Sequence, residues 1–433
     1  MLNRVFELDK RGSDLRTEVM AGFTTFLAMS YIIFINPDIL SQAGMDPGAV
    51  FVATCLSAVI GSLIMGAYAN YPIAIAPGMG LNAFFTYGVV IGMGVSWETA
   101  LMAVFMSGSL FVILSVLPIR EWIINAIPME LKLSIGAGIG LFLIIIGLTS
   151  VGIVVDNPAT LVGLGDLSAT PTLLAVACFI IIAVLESRKV PGGVLIGMIS
   201  ITIIGALMGV SQPGGIVSLP PSIEPTFLAL DWSKAFEIAL VVVVISFLFV
   251  DMFDTAGTLV SVAHRAGLLD EKGHVTNLRR ALLADSTATM IGAMLGTSSA
   301  TSYVESVAGV KAGGRTGLTA IVVAILFLVA LFFAPLAGAI QSFATGPALV
   351  FVGCVMVGSL ANIDWEDATC FVPAVITAIA MPLTYSIATG LGLGFITYAA
   401  LKLGTGRWRE LGAGVSVLAV LFLLKFIFVD AAA

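Results

Sequence analysis

Two stretches decide the fold: YPIAIAPGMGLNAFF, residues 71–85, and GTSSATSYVES, residues 296–306. Each interrupts a long apolar region with residues that resist a regular helix. In the first, Pro72 and Pro77 remove backbone donors and Gly78 and Gly80 are costly in a helix interior. In the second, small polar residues crowd together before an acid, Glu305. Irregular backbone at membrane depth persists only where protein or a water-lined cavity satisfies its N–H and C=O groups. Two such breaks therefore mark a cavity, provided that the chain around them lies in a membrane.

Composition meets that condition. Of 433 residues, 59% are hydrophobic and 10% charged, and the mean hydropathy is +1.11, values that exclude an ordinary soluble globular protein. Apolar segments of about 20 residues, the length a helix needs to cross ~30 Å of hydrocarbon, recur from residue 16 almost to the end. The expectation is an all-α, multi-pass protein of the cell (plasma or inner) membrane, with the lipid bilayer as its partner. The net charge of −7 gives no reason to expect nucleic acid. Cys55, Cys178, Cys354 and Cys370 lie in apolar segments without paired spacing, so neither disulfides, a metal nor any cofactor is expected. The opening residues lack the pattern of a cleavable signal, and the first helix is expected to insert the chain.

Spans are expected near 16–36, 48–69, 72–90, 96–117, 131–152, 170–187 and 191–209, then near 237–263, 280–294, 296–311, 314–335, 345–361, 368–384 and 386–403. An apolar stretch at 412–429 follows within a C-terminal segment, 404–433, and residues 1–15 form a cytoplasmic N-terminal arm. Placing the N-terminus inside puts Arg4, Lys10, Arg11, Arg16, Arg120, Lys132, Arg188, Lys189, Arg265, Lys272, Arg279, Arg280, Lys311 and Arg315 on one side, with Lys402, Arg407 and Arg409; Lys234 and Lys425 disobey. Seven spans are an odd number, so a second seven enters from the opposite face, giving two inverted halves. Residues 210–236, rich in proline and glycine, make the extracellular linker. Both interruptions fall in the third span of a half.

The eighth span reads FVDMFDTAGTL, residues 249–259. A carboxylate at bilayer depth costs about 2.5–3.5 kcal/mol even on insertion scales. Asp251 and Asp254 are three apart and share a face with Thr255 and Thr258, a polar stripe that must face the protein interior. No lysine or arginine stands at comparable depth in any expected span before residue 400. Acids so placed take up protons readily, through desolvation first and a neighbouring carboxylate second. Asp251, Asp254 and Glu305 are thus candidate proton carriers and acceptors for a substrate bearing N–H groups. The plainer readings are capping of half-helices by Glu305 and Asn82, and a bond from Asp254 to backbone or a facing serine. Asp285 is expected to tie its helix to the half-helix at 303–311 or to touch substrate. His264 and His274 read as solvated surface residues, and Gly136, Gly138, Gly140, Gly193 and Gly197 as helix-packing positions.

The segments GFTTFLAMSYIIFINPDIL (22–40), APGMGLNAFF (76–85), FVDMFDTAGTL (249–259), GTSSATSYVESVAGVKAGGRTGLTA (296–320) and MPLTYSIATGLGLGFITY (381–398) closely resemble the AzgA-like purine permeases of the second nucleobase:cation symporter family. The resemblance runs from about residue 4 to residue 404. It implies a proton-coupled importer of adenine, guanine or hypoxanthine with the seven-plus-seven fold of the uracil permeases, and no enzyme. In that fold, core spans occupy 16–117 and 237–335 and gate spans 131–209 and 345–403, with substrate between. Family roles fall on Asp251 and Glu305 as base-binding carboxylates, on Asn82 as an essential polar residue, and on Asp254 as a second acid. Analogy with the uracil permeases sets the Tyr303 ring against the base and has Thr25, Phe26 and Phe84 line the pocket. Thr255 and Ser302 join Asp285 as a supporting network, and a homodimer through gate helices is in keeping with the family. The competing expectation is an anion transporter of the sulfate or bicarbonate type on the same fold, which an acid-rich site disfavours.

Overall fold

The computed structural model describes residues 2–116, 128–211, 215–233, 235, 237–268 and 276–428. Arg120, Lys234, Lys272 and His274 lie outside them. After an N-terminal helical turn the helices are α1 (Leu15–Met29), α2 (Ile32–Ser41), α3 (Pro47–Ile64), α4 (Met79–Ala83), α5 (Trp97–Val116), α6 (Met129–Ser150), α7 (Thr170–Ser187) and α8 (Gly193–Leu207). They continue as α9 (Ile238–Arg265), α10 (Leu278–Leu295), α11 (Ser306–Lys311), α12 (Gly317–Ala330), α13 (Ser342–Val357), α14 (Ala368–Thr384), α15 (Ile387–Gly404) and α16 (Ala413–Phe428). Among the described residues, 9 helical stretches are long and apolar enough to cross a membrane, and shorter apolar helices cover Met79–Ile91, Gly193–Leu207, Ala368–Thr384 and Gly414–Ile427.

Local chemistry sets the ends. The Asp14 carboxylate accepts from Thr17 N at 2.9 Å and opens α1, and Asp46 accepts from Ala49 N at 2.7 Å and opens α3 behind Pro47. The first expected span, 16–36, is present and extends further, over Leu15–Ser41. It is two helices that part at Ser30 and Tyr31 and run on to Ser41. Ile33 N and Phe34 N reach only three residues back, to Ser30 O and Tyr31 O. Pro37 then withdraws a further donor from α2. The second span ends in a π-helical turn, Met65–Ala69, stopped by Asn70 at φ 56°. The loop after α6 holds a hairpin, β2 (Val154–Asn157) on β3 (Leu161–Leu164).

Two sets of helices pack among themselves. In one, α6 lies against α13 and α14, α14 against α15, and α7 against α8 and α13; in the other, α10 lies against α5 and α3, and α12 against α1 and α3. Small residues set these approaches. A Cβ on Gly140 would stand 2.6 Å from Gly353 O, and one on Gly353 would stand 2.5 Å from Gly140 O, so α6 and α13 touch backbone to backbone. Gly138 likewise admits Met381 of α14, whose sulfur would lie 2.5 Å from an added Cβ. Between the two sets, Thr345 Oγ1 on α13 donates to Asp38 Oδ2 on α2 at 2.7 Å.

Candidate functional site

The two interruptions meet. β1 (Ile75–Pro77) pairs antiparallel with β4 (Ala300–Ser302), with Ile75 opposite Ser302, Ala76 opposite Thr301 and Pro77 opposite Ala300. The ribbon extends at both ends, through Gly78 N to Ser299 O at 2.9 Å and Tyr303 N to Ala74 O at 3.0 Å. Short strands of this kind satisfy each other's backbone where lipid offers nothing. Outward groups find side chains. Ser62 Oγ lies 3.0 Å from Ile75 N and 3.1 Å from Ile75 O, Ser306 Oγ accepts from Ala74 N at 3.0 Å, and Thr289 Oγ1 reaches Ala300 O at 2.7 Å. Both strands are fully buried.

Around this ribbon lie the acids. Asp251 is fully buried on α9, and its Oδ2 lies 2.9 Å from Thr289 Oγ1 on α10. Asp285, also fully buried, receives Thr255 Oγ1 on Oδ2 at 2.6 Å and Ser302 Oγ on Oδ1 at 2.7 Å, so one carboxylate joins α9, α10 and β4. Thr301 Oγ1 completes this cluster 3.0 Å from Thr255 Oγ1. Asp254, partly buried, stands within electrostatic reach of Asp285 and Glu305.

Glu305 occupies the N-cap position of α11, yet its side chain caps nothing. Its Oε1 instead accepts from the Tyr31 hydroxyl, delivered from the break between α1 and α2. The capping expectation is thereby corrected, because a buried phenol 274 residues away competes successfully for the carboxylate. Asn82 is corrected too: it lies within α4, where Gly78 holds the N-cap. Asn36 explains its placement. Asn36 Nδ2 donates to Thr54 Oγ1 at 2.7 Å and to Thr297 Oγ1 at 2.8 Å, so its Oδ1 is the atom that accepts from Asn82 Nδ2 at 2.9 Å. Asn82 Oδ1, buried, is left as an acceptor with no donor among the described residues.

The aromatic expectations divide. Tyr303 is buried beside Glu305, but its hydroxyl donates to Pro77 O at 2.5 Å and so fastens one interruption to the other. Phe84 packs on Phe247 with centroids 4.9 Å apart, and Phe26 meets Phe327 edge-on at 5.2 Å. Thr25 lies against Gly309 of α11, where an added Cβ would come within 2.1 Å of its Oγ1. The structure thus brings together Asp251, Asp254, Thr255, Asp285, Ser302, Tyr303 and Glu305, while Phe26 and Phe84 hold apolar partners. Tyr31, Asn36 and Thr289 were missed. Asn36 and Asp38, two polar residues flanking Pro37 inside an apolar run, were an available signal; nothing distinguished Tyr31 or Thr289.

Comparison with known proteins adds to this geometry. A permease family, Xan_ur_permease, matches residues 16–393. Adenine permease AdeP of Escherichia coli is 47% identical, with the match covering 100% of this chain and 97% of that protein. Guanine/hypoxanthine permease PbuG of Bacillus subtilis is 48% identical, covering 98% and 99%. Among solved structures, the transmembrane domain of the cyanobacterial bicarbonate transporter BicA superposes with a TM-score of 0.65 at 17% identity, covering 89% of this chain and 97% of that one. At that identity the likeness shows the fold, a membrane transporter fold.

Proposed function

Because the chain belongs to the Xan_ur_permease family of permeases, as an AzgA-like purine nucleobase permease and not an enzyme, we propose that it is a proton-coupled symporter that imports purine bases by alternating access. The observation that carries this is the pairing of the two interrupted segments beside Asp251, Asp285 and Glu305. In this reading the N-terminus is cytoplasmic and fourteen crossings form two inverted halves. The set holding α1–α5 and α9–α12 is the core, and the set holding α6–α8 and α13–α15 is the gate. Asp38 and Thr345 join them near the outer face.

A purine is flat and neutral and carries N–H donors along one edge. Guanine offers N1–H and the 2-amino group to a carboxylate together, hypoxanthine offers N1–H, and adenine offers an amino donor beside an acceptor. Glu305, steadied by Tyr31, holds that edge, and the amide of Asn82 presents its Oδ1 to a further donor. Asp251 carries the proton, with Asp254 in reach of the same charges. Protonation lets the core move against the gate, and inward flux follows the proton gradient. A potential of 100 mV contributes about 2.3 kcal/mol per charge moved, enough for roughly fifty-fold accumulation. Among the described residues the acid-rich site offers acids where the rival anion would need a cation.

The test is uptake of radiolabelled hypoxanthine in cells, challenged with adenine, guanine, uracil and sulfate. Purines compete and sulfate does not. Asp251→Asn abolishes accumulation against a gradient while exchange of labelled for unlabelled base persists. A variant that still concentrates purine removes Asp251 as the proton carrier.

A further inference from the structure

Thr289 stands between two acceptors with one proton to give. Its Oγ1 lies 2.9 Å from Asp251 Oδ2 and 2.7 Å from Ala300 O. A threonine hydroxyl carries one O–H and two lone pairs. A well-aligned bond to the carboxylate weakens the one to the carbonyl, and the reverse. Ala300 faces Pro77 across the ribbon, and among the described residues its buried carbonyl takes its hydrogen bond from Thr289. A buried carbonyl without a donor is costly, by about 1–3 kcal/mol. Protonation of Asp251 relieves that competition, because its O–H can then donate to Thr289 Oγ1 while Thr289 donates to Ala300 O.

We propose that Thr289 is the positioning residue that couples the proton on Asp251 to the strand carrying the substrate site. When Asp251 is protonated, its O–H donates to Thr289 Oγ1, and Thr289 donates to Ala300 O, which seats β4 against α10. When Asp251 loses its proton to water, the Thr289 hydroxyl keeps its own proton and turns to donate to the carboxylate, and Ala300 O is released. Thr289 rotates; it does not relay. The consequence travels a short way, because Ala300 begins the strand that runs through Thr301 and Ser302 to Tyr303 and Glu305. On the elements beside Asp251 the titratable groups include Asp254 on its own helix, which is within electrostatic reach of Asp285 on α10 and of Tyr303 and Glu305 beyond β4. The other helices packed along α9 carry theirs toward their ends: Glu98 on α5, Glu130 and Lys132 on α6, Lys311 on α11, and Tyr398 and Lys402 on α15.

This inference rests on the purine symport reading, and its test separates the two. Thr289→Val keeps the shape and removes the hydroxyl; Thr289→Ala does so without risk of crowding; Thr289→Ser restores the hydroxyl. Hypoxanthine accumulation driven by an imposed pH gradient falls about tenfold or more in the valine and alanine variants, hypoxanthine exchange is retained, and the serine variant recovers. A merely structural role would lower accumulation and exchange together. A second readout uses hydrogen exchange of residues 296–306 in the purified protein. Protection there is greater at pH 5 than at pH 8, after correction for intrinsic rates. Asp251→Asn, whose amide donates permanently to Thr289, shows the pH 5 pattern at both pH values. Full accumulation in Thr289→Val, or exchange in 296–306 that ignores both pH and Asp251→Asn, overturns the proposal. If Asp251→Asn itself still concentrates purine, the assignment of Asp251 as proton carrier fails instead.

Discussion

Thr345→Val tests whether the two helical sets slide on one another. Thr345 is 1% exposed, and its hydroxyl donates to Asp38 at 2.7 Å. Among the described residues this is the one side-chain hydrogen bond between the set of α1–α5 and α9–α12 and the set of α6–α8 and α13–α15. Valine preserves the shape, so the packing of α13 on α2 survives and only the bond is lost. A hydrogen bond to a carboxylate contributes about 1.5–3 kcal/mol, which is roughly a 10- to 150-fold change in an equilibrium. Closed outer ends stabilised by that amount give way to open ones by the same factor when the bond is deleted. The assay places a single cysteine at Ala348, fully buried one turn along α13, in a protein whose four native cysteines are replaced, and measures its reaction with a membrane-impermeant maleimide. Thr345→Val raises the labelling rate about tenfold or more, and Asp38→Asn raises it less, because its amide oxygen still accepts. Labelling within twofold of the parent, in a variant of unchanged melting temperature, refutes the reasoning: the bond would then persist throughout the cycle, and the sets would not part there.

The remaining predictions concern the scaffold. Gly353→Ala sets a methyl where the Gly140 carbonyl stands 2.5 Å away, and since backbone cannot swing aside it costs about 1–3 kcal/mol, read as a lower melting temperature in detergent; Gly358→Ala, with nothing within 4 Å of the added carbon, leaves it unchanged. On the loop side of α14, the Arg407 guanidinium donates to Asp367 at 2.5 Å, and that bond first, with the Thr369 hydroxyl next, holds the Asp367 carboxyl well below the usual carboxylate range. A carboxyl depressed by folding stabilises above its unfolded value, about 3.9, and that stability is lost as pH falls toward the folded value. Asp367→Asn accordingly melts lower than the parent at pH 7, and the gap narrows only below about pH 4; a gap that closes already between pH 7 and 5 contradicts the assignment.

What could be read from the sequence was whatever rests on a repeated or expensive signal. Apolar length marked the helices, because hydrocarbon thickness imposes it on every crossing. Pro72, Pro77 and Gly78 on one side and the Gly-Ser-Thr run on the other marked both interruptions, because such residues together disfavour a continuous helix. Asp251 stood out because a carboxylate in that setting is too costly to be idle. The reading went astray where tertiary contacts override local preference. Ser30 and Tyr31 contain no helix breaker, yet the chain parts there, and Tyr31 crosses to Glu305. Capping, the plainer alternative for Glu305 and Asn82, was drawn from position alone, and both side chains are claimed by distant partners, Tyr31 and Asn36.

Threonine shows why the coupling element lay beyond reach. A hydroxyl in an apolar helix ordinarily satisfies itself on the carbonyl four residues back, as Ser286 does on Leu282 at 2.9 Å and Thr202 on Met198 at 2.8 Å. Such a residue is silent, and in one dimension Thr289 looks the same. In space its hydroxyl turns away from its own helix toward Asp251 and Ala300. The difference arises because β4 presents a carbonyl that its partner strand does not take up, and that geometry exists only after residues 75–77 and 300–302 have paired. A proton-sensitive contact of this kind is thus a property of the ribbon and not of the helix that supplies the hydroxyl. It follows that loosening the ribbon from its far side, through Ser62 or Ser306, should disturb proton coupling while leaving Asp251 and Thr289 untouched.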